Sequence, residues 1–106
     1  MQRLRHLLDL DTDTETIDRL LADLPGGALP GQRVAGCIDG FETTVRIILG
    51  QQITVAAACT LAARLVQRFG EPLDTGVPGL DRLFPTAAAL AEASPEAIGT
   101  LGIVRS

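Results

Sequence analysis

Residues 39–70 read DGFETTVRIILGQQITVAAACTLAARLVQRFG, and their pattern predicts the central helices of the chain. Asp39 followed three residues later by Glu42 is typical of the capping box that begins a helix. Apolar residues then recur at helical spacing, and Gly50 predicts the end of this first helix. Thr54 predicts the start of a second helix over about 55–69, whose apolar positions form one amphipathic stripe before a glycine C-cap. The stretch therefore predicts two helices joined by a short polar turn.

Two shorter helices are predicted on the N-terminal side of this pair, over about 1–24. The first covers Met1–Leu10. The second begins at Thr12, because Glu15 stands three residues later and completes a capping box. Residues 25–38 contain two prolines and four glycines, which predicts a loop between these helices and the central pair.

The C-terminal part of the chain predicts a loop over 71–85 and short helices over 86–106. Thr86 caps the first of these helices, and Ser94 followed by Pro95 is a start signal for another. No run of residues alternates apolar and polar side chains long enough to predict a strand. The predicted fold class is therefore all-α.

Composition and charge limit the classes of protein that fit. Hydrophobic residues make up 46% of the chain, which indicates a globular protein. No apolar run approaches the roughly 20 residues that cross a bilayer, and no signal peptide is evident, so we expect a cytoplasmic protein without a membrane partner. The net charge of −4 argues against nucleic-acid binding. The middle of the chain is more basic than the rest, with arginines at positions 33, 46, 64 and 68.

The residue types that usually carry chemistry give few signals. Cys37 and Cys59 lie among apolar residues, and we expect buried, reduced thiols. They form no CxxC motif, so we expect neither a metal site nor a cofactor. The acidic residues of the first 20 positions lie near predicted helix starts, where capping by solvated carboxylates is the expected role. The pair Pro78-Gly79 has Asp81 where a phosphate-binding hairpin would have a second glycine, so a plain turn is predicted there.

The turn between the two central helices, with Gln51 and Gln52 at its centre, is open to two interpretations. Polar residues between helices are ordinary, with Gly50 ending one helix and Thr54 capping the next. Alternatively, the turn enters DNA, because a glutamine is long and uncharged and its amide can both donate to and accept from an orphaned base. Thr54 and the free amides at the next helix start would then hold a phosphate.

Two longer stretches resemble a known family: Pro30–Glu42, and Val45–Ala56 with its Leu49-Gly50-Gln51-Gln52 core. They are similar to the bacterial DNA-3-methyladenine glycosylase II family, the alkylation-repair branch of the helix-hairpin-helix DNA glycosylase superfamily. The same pattern includes Leu8-Asp9-Leu10, Phe84-Pro85-Thr86 and Leu101-Gly102, so the resemblance covers nearly the whole chain.

The resemblance implies that residues 1–106 are an incomplete helical domain of a base-excision-repair glycosylase. Such an enzyme flips alkylated bases such as 3-methyladenine out of double-stranded DNA and hydrolyses their N-glycosidic bond. Gln52 matches the wedge that fills the gap, Gln51 lies beside it at the cleft, and Gly50 and Thr54 complete the DNA-binding turn.

The resemblance also implies what this chain lacks. In the family the phosphate-binding hairpin and the catalytic aspartate follow the matched segment, so we expect no catalytic residue in this chain and no activity of the chain alone. We expect a truncated segment that self-associates through exposed apolar helix faces. Two alternatives remain open: a non-catalytic helical module that binds a protein, which the negative charge favours, and a DNA-binding module without chemistry.

Overall fold

A computed structural model of the protein describes residues 1–25 and 29–103. These residues form helices and turns without a named strand, and their one isolated antiparallel bridge joins Pro72 and Arg82. The all-α prediction is therefore confirmed. Positions 26–28 of the predicted first loop and 104–106 of the predicted last segment lie outside the described residues. The helices are α1 (Gln2–Leu7), α2 (Thr14–Leu21), α3 (Gly40–Leu49), α4 (Val55–Phe69), α5 (Ala87–Glu92) and α6 (Pro95–Gly99).

The chain divides into two compact units, Met1–Gly40 and Phe41–Ser106. In the first unit, Asp9 organises the chain between α1 and α2. Its backbone is left-handed, with φ +51°, and its carboxylate accepts hydrogen bonds from the Thr12 hydroxyl and from the Val34 amide at 3.1 Å. The later loop is thereby tied to the end of the first helix.

This arrangement corrects two predictions in the first unit. The first helix ends at Leu7 rather than Leu10, because the left-handed backbone of Asp9 cannot continue a helix. Thr12 is not the N-cap of α2, because its hydroxyl is bound to Asp9. Asp13 takes that place, and its carboxylate accepts from the Thr16 amide at 3.2 Å.

The second unit is built around the pair α3 and α4. Its buried hydrophobic core consists of Leu49 of α3 with Ala62 and Leu65 of α4. Half-buried side chains pack around this small core, among them Val45, Phe69, Phe84, Leu90, Leu101 and Ile103. α4 spans the predicted residues 55–69, and the amphipathic stripe accounts for its buried face.

Three predicted N-caps of the second unit are confirmed. The Thr54 hydroxyl accepts from the Ala57 amide at 3.2 Å at the start of α4. Thr86 and Ser94 do the same for α5 and α6, and Pro95 occupies the first turn of α6. Because each cap satisfies an amide that has no partner within its helix, these helix starts are specified by local sequence.

Gly70 is the C-cap of α4 as predicted, and its amide donates to Val66 at 2.8 Å, but a left-handed backbone is not the reason for a glycine here. Its φ is −76°, an ordinary value for any residue. A Cβ at this position would lie 2.4 Å from the Leu83 carbonyl oxygen and 2.5 Å from that of Val66. Gly70 is therefore required by the close approach of two backbone segments.

The segment 71–85 is more ordered than the predicted irregular loop. The Leu73 amide donates to Asp81 at 2.8 Å, and the Leu83 amide donates to Glu71 at 2.9 Å, so its two ends pair like a short hairpin. The predicted plain turn at its tip is confirmed, with a Leu80-to-Val77 hydrogen bond of 3.1 Å.

The cysteines differ from the prediction. Cys59 is exposed and Cys37 is half-buried, so the expectation of two buried thiols is wrong. Cys59 lies on a face of α4 that the described residues of the second unit leave uncovered. None of the described helices is both long and apolar enough to cross a bilayer.

Candidate nucleic-acid interface

The turn between α3 and α4 lies at the surface, with both Gln51 and Gln52 exposed. The Gly50 amide closes α3 by donating to the carbonyls of Arg46 at 3.0 Å and Ile47 at 3.2 Å. The Gln51 amide then donates to Ile48 at 3.2 Å, which tightens the last turn of the helix. The two glutamines are thus presented on a short turn whose ends are fixed by two helices.

Gln52 has a left-handed backbone, with φ +62°. An L-residue other than glycine, asparagine or aspartate rarely adopts this conformation, which costs about 1–2 kcal/mol. Strain of this kind persists only where the surrounding structure enforces it, and it is concentrated at functional sites. This feature could not be predicted from the sequence, because glutamine has no preference for a positive φ.

Thr54 begins α4 beside the glutamines and caps it through the Ala57 amide. The earlier amides of the first turn, at Val55 and Ala56, have no intrahelical acceptor by the geometry of a helix start. Such amides and the positive end of a 15-residue helix favour an anion. Of the four predicted site residues, Gln51, Gln52 and Thr54 are exposed and Gly50 is half-buried at the end of α3.

A cavity of about 430 Å³ adjoins the turn. Gln51 and Gln52 form its polar side, while Ile48, Leu61 and Ile103 contribute apolar walls. A pocket with apolar walls and a few polar groups is the usual form of a small-ligand or base-binding site. The glutamine pair thus borders a space large enough for a planar ring.

Arg46 and Phe84 form a contact that the sequence did not predict. The guanidinium of Arg46 lies 5.2 Å from the centre of the Phe84 ring, within the range of a cation–π interaction. The same guanidinium pairs with the Glu42 carboxylate, with Nε–Oε1 at 2.8 Å. Helical spacing relates Glu42 to Arg46, but no sequence signal relates Arg46 to Phe84.

The described arginines of the second unit are used within the protein. Arg64 donates to the Leu101 carbonyl at 2.9 Å and Arg82 to the Gly70 carbonyl at 3.0 Å. Arg68 lies over the Phe69 ring at 5.9 Å. With Arg46, all four arginines among the described residues of the second unit make intramolecular contacts.

Residues 45–106, more than half of the chain, match the family described as HhH-GPD superfamily base excision DNA repair protein. The chain belongs to this superfamily. The matched region contains the exposed glutamine turn and α4, so the family assignment includes the candidate site.

Named relatives point to one branch of this superfamily. The chain is 41% identical over 103 residues to DNA-3-methyladenine glycosylase 2 of Escherichia coli K12, covering 97% of this chain and 36% of that protein. It is also 41% identical over 98 residues to a Mycobacterium tuberculosis protein named "Probable bifunctional transcriptional activator/DNA repair enzyme AlkA", covering 88% of this chain and 20% of that protein.

A solved structure shares the fold. A 3-methyladenine DNA-glycosylase from Archaeoglobus fulgidus superposes with a TM-score of 0.61 at 26% sequence identity, over 97% of this chain and 37% of that one. This chain therefore spans little more than a third of the E. coli relative and of the archaeal structure.

Proposed function

We propose that this chain supplies the duplex-opening part of a base-excision-repair glycosylase that removes alkylated bases such as 3-methyladenine from double-stranded DNA. The observation that carries the proposal is the exposed Gln51-Gln52 turn with its left-handed Gln52, in a chain of the base-excision superfamily. The names of the relatives in Escherichia coli and Archaeoglobus fulgidus supply the class of substrate. The proposal includes residence in the bacterial cytoplasm, where chromosomal DNA lies.

In this proposal Gln52 enters the duplex where the damaged nucleotide leaves the stack. Unstacking a base costs a few kcal/mol, so a side chain that fills the gap stabilises the opened state. The amide of Gln52 can donate to and accept from the base left without a partner. Gln51 borders the adjoining cavity, and Gly50 with Thr54 and the first amides of α4 approaches the backbone of the DNA.

The chemical step is assigned to residues outside this chain. An alkylated purine carries positive charge and is a good leaving group, and it departs with the electron pair of the glycosidic bond. Positive charge then develops on the sugar, where a nearby carboxylate would stabilise it until water adds. The carboxylate of α3, Glu42, is paired with Arg46 instead. The carboxylates of Asp9 and Asp13 are engaged in hydrogen bonds within the first unit. We propose that no catalytic residue lies in this chain and that the isolated chain is inactive.

Duplex opening by this chain is testable with a fluorescent base. A duplex with 2-aminopurine at a mismatched position is titrated with the chain, and fluorescence is expected to rise as the base leaves the stack. Gln52→Ala should lower this rise severalfold while leaving helix content unchanged. Gln67→Ala removes the same side chain from an exposed position of α4, about 18 Å along the helix from its start, and should have no effect.

Two outcomes would contradict the proposal. If the unchanged chain leaves the fluorescence of the duplex unaltered at saturating concentration, it does not open DNA. The second outcome is release of a damaged base by the isolated chain. Incubation of the chain with DNA containing 3-methyladenine is expected to release no base above the spontaneous rate, as measured by chromatography of the free base. Steady release by the chain would place the reactive group within it.

A second function is favoured by the exposed apolar side chains of the first unit. Val34 is 82% exposed and Leu20 is 76% exposed, which fits a helical module that binds a protein partner. Such binding would change little with salt, whereas DNA binding weakens as salt is raised. A tight, salt-insensitive protein complex together with no binding to duplex DNA would select this alternative.

A further inference from the structure

Arg46 is fixed on two sides. Its guanidinium pairs with Glu42 of the same helix through Nε at 2.8 Å and Nη2 at 2.7 Å. Its charge also lies over the ring of Phe84, 5.2 Å from the ring centre. Phe84 precedes the fully buried Pro85 in the segment that leads to α5. Arg46 therefore joins the C-terminal part of α3 to a distant and well-anchored segment of the same unit.

The backbone of Arg46 also begins the glutamine turn. Its carbonyl oxygen accepts from the Gly50 amide at 3.0 Å and lies 3.3 Å from where a Cβ on Gly50 would stand. Where the glutamine turn follows α3, its first residue is therefore in direct contact with the Arg46 peptide group. A shift of Arg46 moves the start of the turn with it.

The left-handed Gln52 must be held from both helices. On the side of α4, Thr54 caps the helix with its side chain and accepts from the Ala58 amide at 3.0 Å with its carbonyl. On the side of α3, Leu49 is the buried residue, while Ile47 and Ile48 are each 61% exposed. Little apolar packing other than that of Leu49 therefore holds the last turn of α3. The Arg46–Phe84 contact is a second interaction that holds it.

We infer that Arg46 is a positioning residue for Gln52. Its contacts with Glu42 and Phe84 hold the end of α3 so that Gln52 keeps its strained backbone on the exposed turn. This inference rests on the proposed function, because it gives Arg46 a part in presenting Gln52 to the duplex. Arg46 itself need not touch DNA.

A double-mutant cycle on the chain without DNA tests this coupling. Gln52→Gly relieves the left-handed strain, partly offset by the greater flexibility of glycine, and should raise the folding equilibrium constant about threefold. In the Arg46→Met chain the turn has already relaxed, so Gln52→Gly should not raise the folding equilibrium constant. Arg68→Met is the matched control, because it removes another arginine–phenylalanine contact, 5.9 Å, within α4. The threefold gain should persist there.

A second readout reports the backbone of Gln52 directly. A positive φ brings the amide hydrogen of a residue close to its own Hα, which gives a strong intraresidue nuclear Overhauser effect. This signal should be strong in the unchanged chain and in Arg68→Met, and weak in Arg46→Met. Arg46→Lys should restore part of it, because an ammonium keeps the contact with the ring but not the paired hydrogen bonds.

The results separate this inference from the proposed function. Gln52→Gly would raise the folding equilibrium constant equally in the unchanged chain, in Arg46→Met and in Arg68→Met if Arg46 had no positioning role. That result, together with an unchanged intraresidue nuclear Overhauser effect of Gln52 in Arg46→Met, would overturn the inference. If Arg46→Met does not fold, Arg46→Lys is used instead, and the gain from Gln52→Gly should then be smaller than threefold; a full threefold gain there would overturn the positioning role. Failure of the unchanged chain to open a 2-aminopurine duplex would instead reject the proposed function, and the coupling between positions 46 and 52 would still be measured without DNA.

Discussion

Asp9 combines a positive φ with three hydrogen bonds that link distant parts of the first unit. Its carboxylate accepts from Thr12 and Val34, and its carbonyl accepts from the guanidinium of Arg33. The Thr12 hydroxyl, followed by the Val34 amide, lowers the pKa of Asp9 below its ordinary value of 3.8. A carboxyl whose pKa is lowered on folding stabilises the protein above its ordinary pKa. That stability is lost as pH falls through the lower value in the folded state.

The contribution of Asp9 to acid stability is therefore testable. Between pH 6 and pH 3 the urea midpoint of the chain should fall, and Asp9→Asn should lower the midpoint at pH 6 while flattening this fall. Asparagine is chosen because it tolerates a positive φ. Thr12→Val removes the hydrogen-bond donor that lowers the pKa of Asp9 most. It should therefore reproduce much of the change in the urea midpoint that Asp9→Asn causes. An Asp9→Asn chain with an unaltered pH profile would show that these hydrogen bonds do not stabilise the fold.

Among the helices, the stability of α4 depends on the backbone that packs against its C-terminal end as well as on its own sequence. Gly70→Ala would place a Cβ 2.4 Å from a backbone oxygen of Leu83, so the segment after α4 must move. We expect a loss of several kcal/mol, in the range of severe overpacking. Gly99→Ala in α6 meets no atom within 4 Å and should be neutral or stabilising by up to about 1 kcal/mol. Thermal unfolding of both variants checks this, and equal midpoints would refute the close approach at Gly70.

The helices show what sequence can and cannot predict. The span of α4 and the caps at Thr54, Thr86 and Ser94 depend on residues within one turn of each other, so local pattern sufficed. The end of α1 was misjudged because the left-handed Asp9 is held in part by Val34, far along the chain. In the same way, the place of the Gln51-Gln52 turn could be predicted, but the backbone of Gln52 could not. That conformation depends on how two helices meet.

At the scale of the whole molecule, charge limits how these 106 residues would approach DNA. The net charge is −4, and the four described arginines of the second unit are already engaged within the protein. The net negative charge weakens long-range attraction to phosphate, so under the proposed function the affinity for DNA comes from the surface around the turn. That surface is apolar beside the glutamines, with Ile48 61% exposed and Val55 81% exposed.

Such a surface is also expected to bind a second copy of the chain. Two apolar patches gain free energy by mutual burial at roughly 25 cal/mol per Å², and no large net repulsion opposes them at moderate salt. We expect reversible self-association at concentrations on the order of 100 μM, measured by sedimentation equilibrium, as for a small and weak interface. Val55→Glu should weaken it several-fold. Leu80→Glu, which introduces the same charge at a position 61% exposed on the 71–85 segment, should not.

Duplex DNA should compete with this association, because both partners would cover the surface beside the glutamine turn. Adding a mismatched duplex at a concentration that saturates binding should return the chain to one copy per duplex. The same duplex should not dissociate copies that associate through the first unit. Self-association that persists unchanged in the presence of saturating duplex, or that Val55→Glu leaves intact, would show that the contact between copies lies elsewhere. The apolar surface around Gln52 would then remain available to DNA alone.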